Sequence, residues 1–191
     1  MKKVLVAAFA LVSLTASAQK GTLLVAGNVS LESSKSPDVP NDEKSTSLDF
    51  NPTVGYQFND NWTAGVVAEI GSTKYTSSTN VVSKYSNIGV GPFVRYTHTL
   101  SNIFSLYGQL QGVFGTNKSG SVKTSTSTNV ALYPAAFINL KNGFGLNFDF
   151  GGIGFSSSKP TGGEASTEIG VNFGRTMNIG IQKNFSFGKK K

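Results

Sequence analysis

Cysteine is absent from the 191 residues. That excludes a disulfide framework, a thiol nucleophile and a cysteine-held metal. Histidine occurs once, as His98, so a histidine cluster for metal or proton chemistry is excluded as well. Charged residues make up only 14% of the chain, where an ordinary soluble domain carries about 25%. Beyond the N-terminal stretch, no apolar run nears the roughly 20 residues that a spanning helix needs. This excludes a helical span and says nothing against a membrane domain built of strands, which show only one apolar face. The charge balance is basic, with 17 Lys+Arg against 10 Asp+Glu. A nucleic-acid partner is nevertheless not expected: the lysines are scattered through Ser/Thr-rich stretches, with no basic helix and no aromatic RNA-binding motif.

What is present begins with "MKKVLVAAFALVSLTASAQK". Lys2 and Lys3 form a basic segment, residues 4–14 an apolar one, and Ala16-Ser17-Ala18 has the small-x-small form of a cleavage site. This predicts a signal peptide over 1–18, cut after Ala18, and a single domain over 19–191. Removing two lysines leaves 15 basic and 10 acidic residues, a net charge of about +5.

From there, runs of period-two apolarity alternate with polar connectors, which is the signature of strands. The long connectors are "SSKSPDVPNDEKST", "STKYTSSTNVVSK", "TNKSGSVKTSTST" and "SSSKPTGGEAST". The short ones are "NDN", "TLSN" and "KNG". Long and short alternate strictly. The pattern predicts eight strands in up-and-down order, near 21–32, 46–58, 62–74, 85–98, 103–115, 128–140, 144–156 and 167–187, the last with a kink near Gly174. A hairpin recurs within it. Each short turn follows a strand that carries a proline at nearly one height: Pro52, Pro92 and Pro134. The next strand then opens on an aromatic: Trp62, Phe104 or Phe144. Proline donates no ladder hydrogen bond, so each marks a bulge or a missing bond.

Parity sorts the faces. Phe50, Val54, Tyr56 and Phe58 oppose Asp49, Thr53, Gly55 and Gln57; Trp62, Val66 and Ile70 oppose Thr63, Val67 and Glu69; Phe144 and Phe148 oppose Asn147 and Asp149. A soluble barrel with an apolar core and a membrane barrel with a polar interior both fit this alternation. Three features favour the membrane. The non-apolar face is made of Asn, Gln, Thr, Ser and Gly, where a soluble surface would be rich in Lys and Glu. Aromatics on the apolar face gather at the short turns: Tyr56, Phe58, Trp62, Tyr96, Phe104 and Phe144, with Phe185 and Phe187 at the end of the last strand. Such a girdle belongs at a membrane interface. Long connectors at one end and tight turns at the other match extracellular loops and periplasmic turns.

With its Ala-Ser-Ala leader, repeated hairpins such as "VGYQFNDNWTAGV" and the ending "MNIGIQKNFSF", the chain resembles the outer-membrane β-barrel domain family, the small porin-like proteins of Gram-negative bacteria. The resemblance implies an all-β fold, an eight-stranded antiparallel transmembrane barrel in the outer membrane. It also implies a monomer whose partners are outer-membrane lipids, lipopolysaccharide included, and the outer-membrane assembly machinery, with no cofactor.

Chemistry is sparse. Barrels of this size that act on lipid A use a hydroxyl, a histidine and a carboxylate near the outer leaflet, whereas His98 lies beside a short turn. No enzyme activity is expected. The acidic stretch "DVPNDE" over 38–43 reads as a loop rather than a metal site, "GVGP" has no following helix to make a phosphate loop, and four Asn-x-Ser/Thr triplets are chance matches in a Ser/Thr-rich chain. Asp49, Glu69, Arg95 and Asp149 share the inward parity and are expected to form a lumen charge network, with Arg95 paired to Asp149. Three roles remain open: a filled barrel that acts through its outer loops, a narrow passive channel or carrier for small solutes, and a soluble exported barrel that binds an apolar ligand.

Overall fold

The computed structural model of the chain describes residues 21–37 and 43–186. The expected signal peptide, most of the acidic stretch at 38–43, and Phe187 lie outside them. Eight strands follow in order: β1 (Thr22–Ser36), β2 (Glu43–Gln57), β3 (Trp62–Thr76), β4 (Val82–Thr99), β5 (Phe104–Ser119), β6 (Val122–Lys141), β7 (Phe144–Pro160) and β8 (Ser166–Ser186). Each pairs antiparallel with the next, and β8 returns to β1 to close the barrel.

At one end, short turns are set by local hydrogen bonding. The Asn59 side-chain carbonyl accepts from the backbone N–H groups of Asn61 and Trp62 at 2.9 and 2.8 Å, an Asx-type turn. Ser101 Oγ accepts from Phe104 N–H at 3.1 Å. Asn142 and Gly143 both take positive φ, 51° and 77°, as a two-residue hairpin with the twist of its strands demands.

The other end departs from expectation. The stretches expected as long loops are mostly strand. Residues 122–127 are β6, 116–119 are β5, and only 77–81, 120–121 and 161–165 connect the last three outer hairpins. Polarity there reflects contact with water, and the ladder continues without apolar cover. Threonine suits extended backbone, and polar side chains pair across strands: Ser47 with Thr73 at 3.0 Å, and Asn117 donating to Ser125 Oγ at 2.9 Å.

The three prolines interrupt the ladder to the following strand. Pairing of β2 with β3 skips residues 51–52, that of β4 with β5 skips 91–92, and that of β6 with β7 skips 133–134 with a register shift. A further shift between β7 and β8 falls at Asp149 and Gly151, opposite Gly174, whose φ is +72°. The last strand is thus kinked there, and at 21 residues it is the longest.

The apolar parity faces outward. Val66 is 42% exposed while its neighbour Val67 is 4% exposed, and Phe50, Val54, Ile70 and Leu110 are likewise exposed. A soluble barrel with an apolar core is excluded by this arrangement: its large side chains would be turned to water. One seam is short. β1 meets β8 over only six pairs, from Thr22↔Ser186 to Gly27↔Ile181. Above Gly27 the two strands remain paired to β2 and β7 but not to each other.

Candidate functional site

Eight strands enclose a lumen that side chains can fill, and its centre is Arg95. This residue is 4% exposed. Its Nε donates to Gln109 Oε1 on the neighbouring strand at 2.8 Å. Its Nη1 donates to Gln182 Oε1 at 2.8 Å. Gln182 sits on β8, across the barrel from β4, so the guanidinium bridges the lumen. Beneath the charge lies the Tyr107 ring, 3.9 Å from Cζ to its centroid, with the Phe93 ring at 5.8 Å; both are cation–π distances. The chain of amides continues outward from the bridge. Gln109 donates to Gln111 Oε1 at 2.9 Å, which also accepts from the Tyr133 hydroxyl at 3.3 Å, and Gln182 donates to Asn184 Oδ1 at 3.0 Å. Tyr107, Ala135 and Phe137, with Tyr133 against them, form an apolar cluster beside the bridge.

The expected pair of Arg95 with Asp149 is not formed. Asp149 Oδ1 accepts instead from Asn178 Nδ2 at 2.9 Å. The two residues lie at similar distances from their short turns, Arg95 five before Leu100 and Asp149 six after Gly143, but barrel strands are staggered by shear, so similar counts from the turns do not give similar heights. Among the described residues, no ion pair joins the four expected charges. Glu69, Arg95 and Asp149 border a common cavity of about 550 Å³ on the hairpin side of the bridge, with Asn28, Asn51 and Tyr133 also in its wall. Asp49 lies apart from it, its carboxylate against Gly71 on β3.

The interior is therefore not the purely polar set expected. Tyr107, Phe93 and Phe137 are buried inside. Glycines make the room: Phe93 lies over Gly55 and Gly65, and Phe137 over Gly145, so that an added Cβ would meet a ring at each. Sequence reasoning missed Gln109, Gln182 and Tyr107. The parity of the two glutamines was readable: Gln109 and Gln111 alternate with Gly108, Leu110 and Gly112, and Gln182 stands between Ile181 and Lys183.

On the outside, Phe58, Trp62, Tyr96, Phe144 and Phe185 are exposed, and Tyr56 and Phe104 half-buried, at the short-turn end. Trp62 and Tyr96 are register partners in edge contact, with centroids 5.0 Å apart. His98 is exposed next to the 100–103 turn. Among the described residues, no group of three or more His, Cys, Asp or Glu could hold a metal ion.

Comparison with known proteins gives the following. The outer membrane protein beta-barrel domain profile matches residues 4–185. No curated protein matches the chain. Among solved structures, the translocator domain of the autotransporter NalP from Neisseria meningitidis is 14% identical, with a TM-score of 0.42 over 88% of this chain and 65% of that domain. The chain thus spans about two thirds of its length. Ail, the attachment invasion locus protein of Yersinia pestis, is similar in two structures. In complex with the heparin analogue sucrose octasulfate it is 16% identical, with a TM-score of 0.38 over 86% of this chain and 99% of Ail. In a phospholipid bilayer nanodisc the values are 17%, 0.33, 87% and 99%.

Proposed function

We propose a function from this premise: the chain belongs to the outer membrane protein beta-barrel domain family. It acts as an integral outer-membrane barrel whose lumen is shut, with a structural and surface-interaction role carried by the hairpin end. The observation that carries this reading is the Arg95 bridge from Gln109 to Gln182 across the lumen. A guanidinium held by two amides and stacked on a ring obstructs the lumen at that level. The reading includes cleavage of the leader after Ala18, outer-membrane lipids and the assembly machinery as partners, and a monomeric state. It assigns no catalysis, because the single histidine lies at the short-turn end, away from the cavity.

A second reading, a narrow channel or carrier, is favoured by the cavity above the bridge. Planar-bilayer recording separates the two. The shut barrel passes essentially no current, and Arg95→Ala with Gln182→Ala opens a measurable conductance. Steady current through the unaltered protein would overturn the first reading in favour of the second. Orientation is tested in cells. The cysteine-free chain allows single-site labelling, and a membrane-impermeant maleimide should reach Ser121→Cys but not Asn102→Cys. The reverse pattern would invert the barrel.

A further inference from the structure

Charge is sorted across the barrel wall. Among the described strand residues, the six carboxylates Glu32, Glu43, Asp49, Glu69, Asp149 and Glu168 all take inward positions. The seven lysines of the hairpin half all take outward positions and are exposed. They also stand one to a strand, at the hairpin-end part of each of β1 to β7. On β3 the outward face runs Ile70, Ser72, Lys74; on β4, Ile88, Ser86, Lys84; on β5, Phe114, Thr116, Lys118. The same order of apolar, hydroxyl, lysine recurs on β1, β2 and β7, ending at Lys35, Lys44 and Lys159.

Register sharpens the pattern. Lys35 is directly opposite Lys44, Lys74 opposite Lys84, and Lys118 opposite Lys123. Residues directly opposite in a ladder have Cβ atoms about 5 Å apart, and like charges there oppose folding. The pairs of Lys74 with Lys84 and of Lys118 with Lys123, each in its own outer hairpin, do not serve the barrel's own stability. Two flexible lysine side chains rooted that close together can bring both ammonium groups to the oxygens of one phosphate. Lysine stems can lie along apolar surface while their heads stay in the polar layer.

We propose that these lysines form a belt that binds anionic lipid head groups, whose phosphate carries no balancing choline charge, each opposed pair closing on one phosphate. The apolar rungs below would meet the acyl chains and the hydroxyl rungs the ester or amide layer. The strongest part spans β3 to β6, where Lys74, Lys84, Lys118 and Lys123 have no strand carboxylate beyond Glu69. The proposal rests on the membrane-barrel reading but not on which end faces outward, since a symmetric bilayer offers the same lipid to either insertion.

The test uses the refolded protein in mixtures of phosphatidylcholine and phosphatidylglycerol, with native mass spectrometry to count retained lipids. The unaltered protein should enrich phosphatidylglycerol several-fold, and the variant Lys74→Gln, Lys84→Gln, Lys118→Gln, Lys123→Gln should lose most of that enrichment. In phosphatidylcholine alone this variant should melt no lower than the unaltered protein, because repulsion has been relieved; with phosphatidylglycerol the order should reverse. Should four changes block refolding, Lys118→Gln with Lys123→Gln carries the same comparison. The control is Lys141→Gln with Lys183→Gln, at the short-turn end, which removes as much charge as that pair. Unchanged enrichment in the hairpin variants, or an equal loss in the control, would overturn the belt. An inverted labelling pattern in cells with intact enrichment would instead revise the orientation alone.

Discussion

Arg95 is a buried charge whose direct partners are two neutral amides and an aromatic face. Hydrogen bonds to a charged group contribute about 1.5–3 kcal/mol each, and a buried acceptor left without its donor costs about 1–3 kcal/mol. Arg95→Met should therefore destabilise the barrel through the orphaned oxygens of Gln109 and Gln182. A double-mutant cycle of Arg95→Met with Gln182→Ala, measured by denaturant unfolding in lipid vesicles, should give a coupling of roughly 1 kcal/mol or more, since contacting residues couple by about 0.5–3 kcal/mol. The cycle of Arg95→Met with Asp149→Asn should give a smaller one. A larger coupling to Asp149 would restore the ion pair that parity alone suggests. Glycine works at the same scale. Gly55 and Gly65 are register partners, and the Phe93 ring occupies the space their side chains would fill, which lets so large a residue point inward.

Among the elements, the seam of β1 with β8 differs from the rest. It holds six register pairs, where β1 and β2 share fifteen. Exposed strand edge inside a bilayer is costly unless it lines a polar cavity, and Asn28, Asn172 and Gly180 at the seam do border the lumen cavity. Hydrogen exchange in vesicles should find the amides of 181–186 better protected than those of 166–173. Equal protection would mean that the seam is zipped to the top. Strand number, order and outward face were all legible in the sequence, because period-two patterning is imposed by burial itself and the Asn-rich turns are local. The hairpin lengths were not, because a polar stretch reads alike whether it is paired above the membrane or unpaired. The partner of Arg95 was not, because shear belongs to the closed barrel and to no single strand. Nor was the inward turn of Tyr107 and Phe93, since rings are expected on the apolar face until the glycines opposite are known.

At the level of the whole molecule, three surfaces are separated by the same alternation. Apolar side chains such as Val54, Val66 and Leu110 face outward around the middle, lysines face outward above them, and amides, carboxylates and enclosed rings fill the lumen. Arginine at a lipid-facing midplane site costs about 2–4 kcal/mol and falls towards zero at the interfaces. Val66→Arg should consequently impair folding into bilayers far more than Trp62→Arg at the girdle.

The apolar face against lipid is the claim on which the rest depends, and neighbouring positions on β3 and β7 test it most directly. A fluorophore at position 66 or 148, introduced through a single cysteine, should be quenched strongly by lipids carrying a quencher in the acyl chain. One at 67 or 147 should be quenched weakly. Strong quenching at 67 and 147 with little at 66 and 148 would contradict the account and turn the barrel inside out.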